Sequence, residues 1–170
     1  MDKPKGLADR IETWTSKIPG VRSYMEREHR RETDKKLREH LGSRLQEFRS
    51  QVKKITLDLT DKGQMESLAR LDRFSSRLQQ MADTIRYASY GYSGIFDLEK
   101  IREEELDRLY SFDLSLVEEL ERIQKSVGEI GLAATREARE QKIGEADTLA
   151  DSLETKFNQR KELISQPFPK

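Results

Sequence analysis

The stretch from Leu106 to Ile130, LDRLYSFDLSLVEELERIQKSVGEI, decides the fold class. Leu106, Leu109, Asp113, Leu116, Leu120, Ile123, Val127 and Ile130 alternate at steps of three and four, and all but Asp113 are apolar. That alternation holds one stripe on one side of an α-helix. Sustained over more than three heptads, it is the mark of helices packed side by side as in a coiled coil. A lone acid in the stripe reads as a register-setting buried residue, and it needs an arginine partner because a carboxylate in an apolar seam requires a counter-charge.

The same spacing recurs upstream. Leu37, Leu41, Leu45, Phe48, Val52, Ile55 and Leu59 mark a helix over about 22–59, and Leu68, Leu71, Phe74, Leu78, Met81 and Ile85 mark another over about 64–89. Asp61-Lys62-Gly63 is the turn signal between them. A shorter stripe, Leu7, Ile11, Trp14 and Ile18, ends at Pro19-Gly20 and predicts an amphipathic N-terminal helix. Downstream the register fails. Residues 131–145 offer Ala133, Ala134 and Ala138 but no large apolar side chain at the expected seam, Leu132 and Ile143 lying off it, and a stripe resumes in another phase at Leu149, Leu153, Phe157 and Ile164. Gly128, Gly131 and Gly144 fall in this zone, each costing about 1 kcal/mol against Ala in a helix. The pattern predicts a break near 128–134 and a separate, weaker last helix.

The expected fold is therefore all-α: an elongated antiparallel bundle or coiled-coil hairpin of three long helices over 21–130. The N-terminal helix takes 1–20, the C-terminal helix 131–165 and an extended tail 166–170.

Composition narrows the function. The chain has 170 residues, 38% of them charged, with 32 basic and 32 acidic side chains and no net charge. It has no cysteine, so disulfides, thiol nucleophiles and Cys-ligated metals are excluded. Its two histidines are His29 and His40; Glu26-x-x-His29 is a single Glu-x-x-His step, whereas a di-metal bundle needs two and further carboxylates. No apolar run reaches the roughly 18 residues of a membrane span, and no secretory signal is visible. A soluble, cytoplasmic, non-enzymatic protein without cofactor or nucleic-acid partner is the expectation. Residues 22–56 carry a net charge of +5 and residues 97–123 a net of −6, so these two helices should lie side by side.

Two segments stand apart from the apolar pattern: the stretch from Ile18 to Asp34, whose helical part is polar, and the Tyr/Gly-rich stretch from Ile85 to Asp97. Folding the second helix onto the third about Asp61–Gly63 pairs residues whose numbers sum to about 123, which brings the two segments to one end. Arg31, Asp34, Arg86, Tyr90 and Tyr92 are the candidate members of a polar clasp or binding end there. Guanidinium, carboxylate and phenol groups form charge-assisted networks, and the same groups can hold an anion or planar ligand.

At these residues the chain resembles a group of bacterial helical proteins with no agreed activity. The likeness rests on Ile18-Pro19-Gly20 with Tyr24, Glu28, Arg30, Arg31 and Asp34, on Ala88-Ser89-Tyr90-Gly91-Tyr92 with Gly94 and Phe96-Asp97, and on Leu109-Tyr110 with Phe112-Asp113. It covers about residues 18–125 and implies no site residues. In architecture alone the chain is similar to the phage-shock-protein-A class, a short amphipathic helix followed by a long charged hairpin.

The expected function is a helical scaffold or protein-interaction module that forms a homo-oligomer or pairs with a helical protein partner. The alternatives are an envelope-stress protein peripheral at the inner membrane, touching its surface through Leu7, Ile11, Trp14 and Ile18, and a bundle that binds a small ligand at its polar end.

Overall fold

A computed structural model describes residues 30–88 and 103–165. The predicted N-terminal helix with Leu7, Ile11, Trp14 and Ile18, together with Tyr90, Tyr92 and the tail, lies outside the described residues, as does the Arg31 side chain. The described residues form four α-helices and no strand: α1 Arg30–Asp61, α2 Leu68–Arg86, α3 Glu103–Leu132 and α4 Arg136–Ser165. At 1.5 Å per residue the 32 residues of α1 span about 48 Å.

Local chemistry sets the helix ends. Gly63, at φ +69°, takes the left-handed conformation that lets α1 stop. Its N–H then reaches the Thr60 carbonyl at 2.9 Å, and the Gln64 N–H reaches the Leu59 carbonyl at 2.8 Å, so two terminal carbonyls of α1 are satisfied. The break between the last two helices falls at residues 133–135. There Thr135 caps α4 by accepting a hydrogen bond from the Ala138 N–H at 3.2 Å.

The helices pair into two hairpins, α1 with α2 and α3 with α4, and the hairpins stack so that α1 also contacts α3 and α2 also contacts α4. Arg38 meets Ala88 and Gln46 meets Gln79, so numbers across the first hairpin sum to 125–126 and the helices are antiparallel. Between hairpins the numbers rise together. Arg44 meets Gln124 and Ile55 lies against Gly131, while Ser67 meets Glu140 and Arg77 meets Asp151. Hence α1 is parallel to α3 and α2 is parallel to α4, with α2 and α3 at diagonal corners.

One core runs the length of the bundle. It holds Leu37, Leu41, Leu45, Phe48 and Val52 of α1, Leu71, Phe74, Leu78 and Ile85 of α2, and Leu116, Leu120, Ile123, Val127 and Ile130 of α3. From α4 come Ile143, Ala146, Ala150, Leu153 and Phe157. The last helix is thus a full member of the bundle, and its seam differs from the one its large apolar residues suggest. Ile143 is buried, Leu132 is 84% exposed, and Ala146 and Ala150 occupy seam slots. Counted through Arg139, Ile143, Ala146, Ala150, Leu153, Phe157 and Arg160, the steps of four and three are unbroken. Small and charged residues in seam slots hide that continuity from a hydrophobicity count.

Candidate functional site

The seam ends in a layer of charge. Asp34 stands three residues before Leu37, Asp113 three before Leu116, Arg160 three after Phe157 and Ala88 three after Ile85. Asp34, Asp113 and Arg160 each take the next inward slot of their own stripe, while Ala88 follows the end of α2.

Arg160 is 1% exposed, and its guanidinium forks onto Asp113, with Nε donating to Oδ1 and Nη2 donating to Oδ2 at 3.0 Å. Its Nη1 donates to Asp34 Oδ1 at 2.8 Å. The other oxygen of Asp34 accepts from Arg38 Nε at 3.0 Å. Arg38 Nη1 in turn donates to the carbonyls of Arg86 and Ala88, each at 3.0 Å, where α2 ends. Two guanidiniums and two carboxylates thus join α1, α3 and α4 to one another and to the end of α2. A fork of parallel N–H···O bonds adds geometric selectivity to the Coulomb attraction. The desolvation of these ions is costly, so the arrangement stands only because each charge meets an opposite one.

Asp34 therefore sits in a polar layer, and Asp113 is held there by an arginine. Arg86 contributes its carbonyl, while its side chain runs the other way, across α1. A Cβ at Gly42 would fall 2.6 Å from Arg86 Cγ, so the missing side chain there is what lets Arg86 cross, and Arg86 Nη2 donates to Ser43 Oγ at 3.2 Å. The central arginine, Arg160, and the relay through Arg38 are absent from the candidates named from sequence. Both had a signal: Arg160 is one heptad after Leu153, and Arg38 one turn after Asp34.

Polar ties continue along the bundle. Arg70 bonds Glu140 Oε2 at 2.5 Å, and Ser67 donates to Glu140 Oε1 at 2.7 Å. The Ser67 hydroxyl and Arg70 hold the Glu140 carboxyl below its ordinary range. Arg77 pairs with Asp151 and with Glu154 at 3.3 Å. Lys156 meets the buried Glu119 at 2.7 Å, and Lys142 meets Glu129 at 2.7 Å. The basic first helix and the acidic third are neighbours, and Arg44 bonds Gln124 between them. Arg70 and Arg77 of the first hairpin pair with acids of α4. At the turn end, buried Arg139 donates to Gln64 Oε1 at 3.0 Å and to the Ala133 carbonyl at 3.4 Å.

Fold and layer together define a class: a four-helix bundle whose buried charges tie helix to helix. Comparison with protein-family models, curated proteins and solved structures finds no match. Among the described residues no cluster of three or more His, Asp or Glu is arranged to hold a metal, and no helix is long and apolar enough to cross a membrane.

Proposed function

We propose that the chain is a non-enzymatic helical scaffold, a protein-interaction module that self-associates. The observation that carries this reading is the Asp34–Arg160–Asp113 layer. Asp34, Asp113 and Arg160, all buried, are bonded to one another across α1, α3 and α4. Charges paired in this way fix which helices meet and at what level. The product is a rigid rod with a defined face order, which is what a scaffold needs. Leu57, Met65 and Leu132, 64%, 58% and 84% exposed, add apolar area near the turn end for contact with another protein.

Light scattering coupled to size exclusion, over a range of chain concentrations, tests the reading. A mass rising from 19.9 kDa toward a multiple of it is expected. A mass fixed at one chain throughout would remove self-association. Small-angle scattering should give a radius of gyration above the roughly 16 Å of a compact domain of this length.

A further inference from the structure

The bundle divides into two halves of opposite charge. Residues 30–88 carry 14 Lys/Arg against 9 Asp/Glu, a net of +5, and residues 103–165 carry 9 against 16, a net of −7. The bonds follow that division. Among the described residues no ion pair joins α1 to α2; their seam is apolar, with ties from Gln46 to Gln79 at 3.1 Å, from Arg38 to the Arg86 and Ala88 carbonyls and from Arg86 to Ser43. The α3–α4 hairpin has ion pairs of its own, Lys142 with Glu129 and Lys156 with Glu119. Between the hairpins Ser67 bonds Glu140, and arginine makes ties all along the seam: Arg44 on Gln124, Arg70 on Glu140, Arg77 on Asp151 and Glu154, Arg139 on Gln64, and Arg160 on Asp34.

We propose that this arginine seam is also the contact between two copies of the chain. The α1–α2 hairpin of one copy seats against the α3–α4 hairpin of a second, and the reverse pair closes the dimer. The proposal rests on the self-associating reading above and names its partner. The occupant is a second copy because the face that a basic hairpin fits is the acidic hairpin of the same sequence. Each tie, Arg160 to Asp34 included, reforms between chains with the same atoms, so exchange creates no new interface and loses none. The two arrangements differ in the connection alone. The tethered hairpin competes at an effective concentration set by that connection, so the exchanged dimer grows with total chain concentration.

The absence of cysteine gives a clean test. A Cβ at Gly131 would lie 3.3 Å from Ile55 Cγ1, which places these two positions of different hairpins within reach of a disulfide. The single variants Ile55→Cys and Gly131→Cys are mixed in equal amounts in denaturant, refolded at low and high concentration, and oxidised. The expected result is a disulfide-linked species of twice the 19.9 kDa chain mass that joins position 55 to position 131 and increases with concentration. Non-covalent dimers without that disulfide would overturn exchange and leave self-association standing. Monomers at every concentration would overturn both. If either cysteine variant fails to fold, a charge-reversed pair replaces them: Arg77→Glu, and the triple variant Asp147→Arg, Asp151→Arg, Glu154→Arg. Each alone sets like charges across its own seam, whereas exchange between the two restores opposite charges in both seams. A heterodimer on mixing, beyond what either variant forms alone, is expected; its absence would overturn the proposal.

Discussion

Arg139 and Arg160 stand three heptads apart on the same face of α4, one toward each end of the bundle, and both are buried. Their partners differ in kind. Arg160 is forked onto Asp113 and bonded to Asp34. Arg139 has neutral oxygens, those of the Gln64 amide and the Ala133 carbonyl. The surroundings explain the contrast. Arg139 lies in the first turn of α4, beside the α1–α2 turn and the break at 133–135, where neutral oxygens outside the helices are within reach. Arg160 lies inside the bundle among α1, α3 and α4, where backbone carbonyls are taken by the helices' own hydrogen bonds. An arginine buried there needs whole carboxylates. The relay through Arg38 obeys the same rule, because it donates to carbonyls where α2 ends.

This comparison is open to breaking. The largest effect is expected from Arg160→Met, which takes from Asp34 and Asp113 the guanidinium they share. Urea unfolding should show a loss of about 3–5 kcal/mol. The triple variant Asp34→Leu, Asp113→Leu, Arg160→Met removes every member of the triad, and should return to within about 1 kcal/mol of the parent or exceed it. A loss below about 1 kcal/mol in the single variant would mean that water reaches the layer.

Arg139→Met should be milder. It strands a side-chain amide and a carbonyl, each close to exposed turns, and about 1–2 kcal/mol is expected by the same measurement. Equal losses at Arg139 and Arg160 would sink the distinction between neutral and carboxylate partners. Gly63→Ala probes the turn that brings Gln64 to Arg139. An alanine held at φ +69° should lose about 1 kcal/mol, read as a lower Tm without a change in helical content.

The smallest effect concerns pH at the turn end. Glu140 has its folded pKa below the ordinary 4.5, through the Ser67 hydroxyl and then Arg70. The unfolded chain therefore takes up the proton first as acid is added. The stability Glu140 contributes is present above pH 4.5 and is lost as pH falls through the depressed folded value. Melts of Glu140→Gln should accordingly show a shallower fall of Tm below about pH 5 than the parent. Parallel slopes would remove Glu140 from the account.

Much of this was legible beforehand, and the residues show where legibility stops. The three-and-four spacing of Leu, Ile and Phe marked α1, α2 and α3, and Asp61-Lys62-Gly63 marked the first turn within the observed one. Asp113 stood out as an acid in an apolar stripe and so called for an arginine. Which arginine was not readable. The chain offers many, and the seam of α4 is written in Ala146, Ala150 and two arginines, residue types that a search for large apolar side chains passes over. Arg86 was the nearest candidate by hairpin register, but the space above Gly42 draws its side chain across α1 instead.

The sequence by itself determined that the described residues are helical, where the turn at 61–63 falls and that a charge lies within a seam, because these follow from spacing along a single helix. The tertiary structure alone decided that α1 runs parallel to α3 and α2 to α4, and that Arg160 rather than Arg86 meets Asp34. Those outcomes depend on which faces meet once two hairpins stack, and on whether loop oxygens or carboxylates lie within reach of each buried charge. Neither is a property of any one segment.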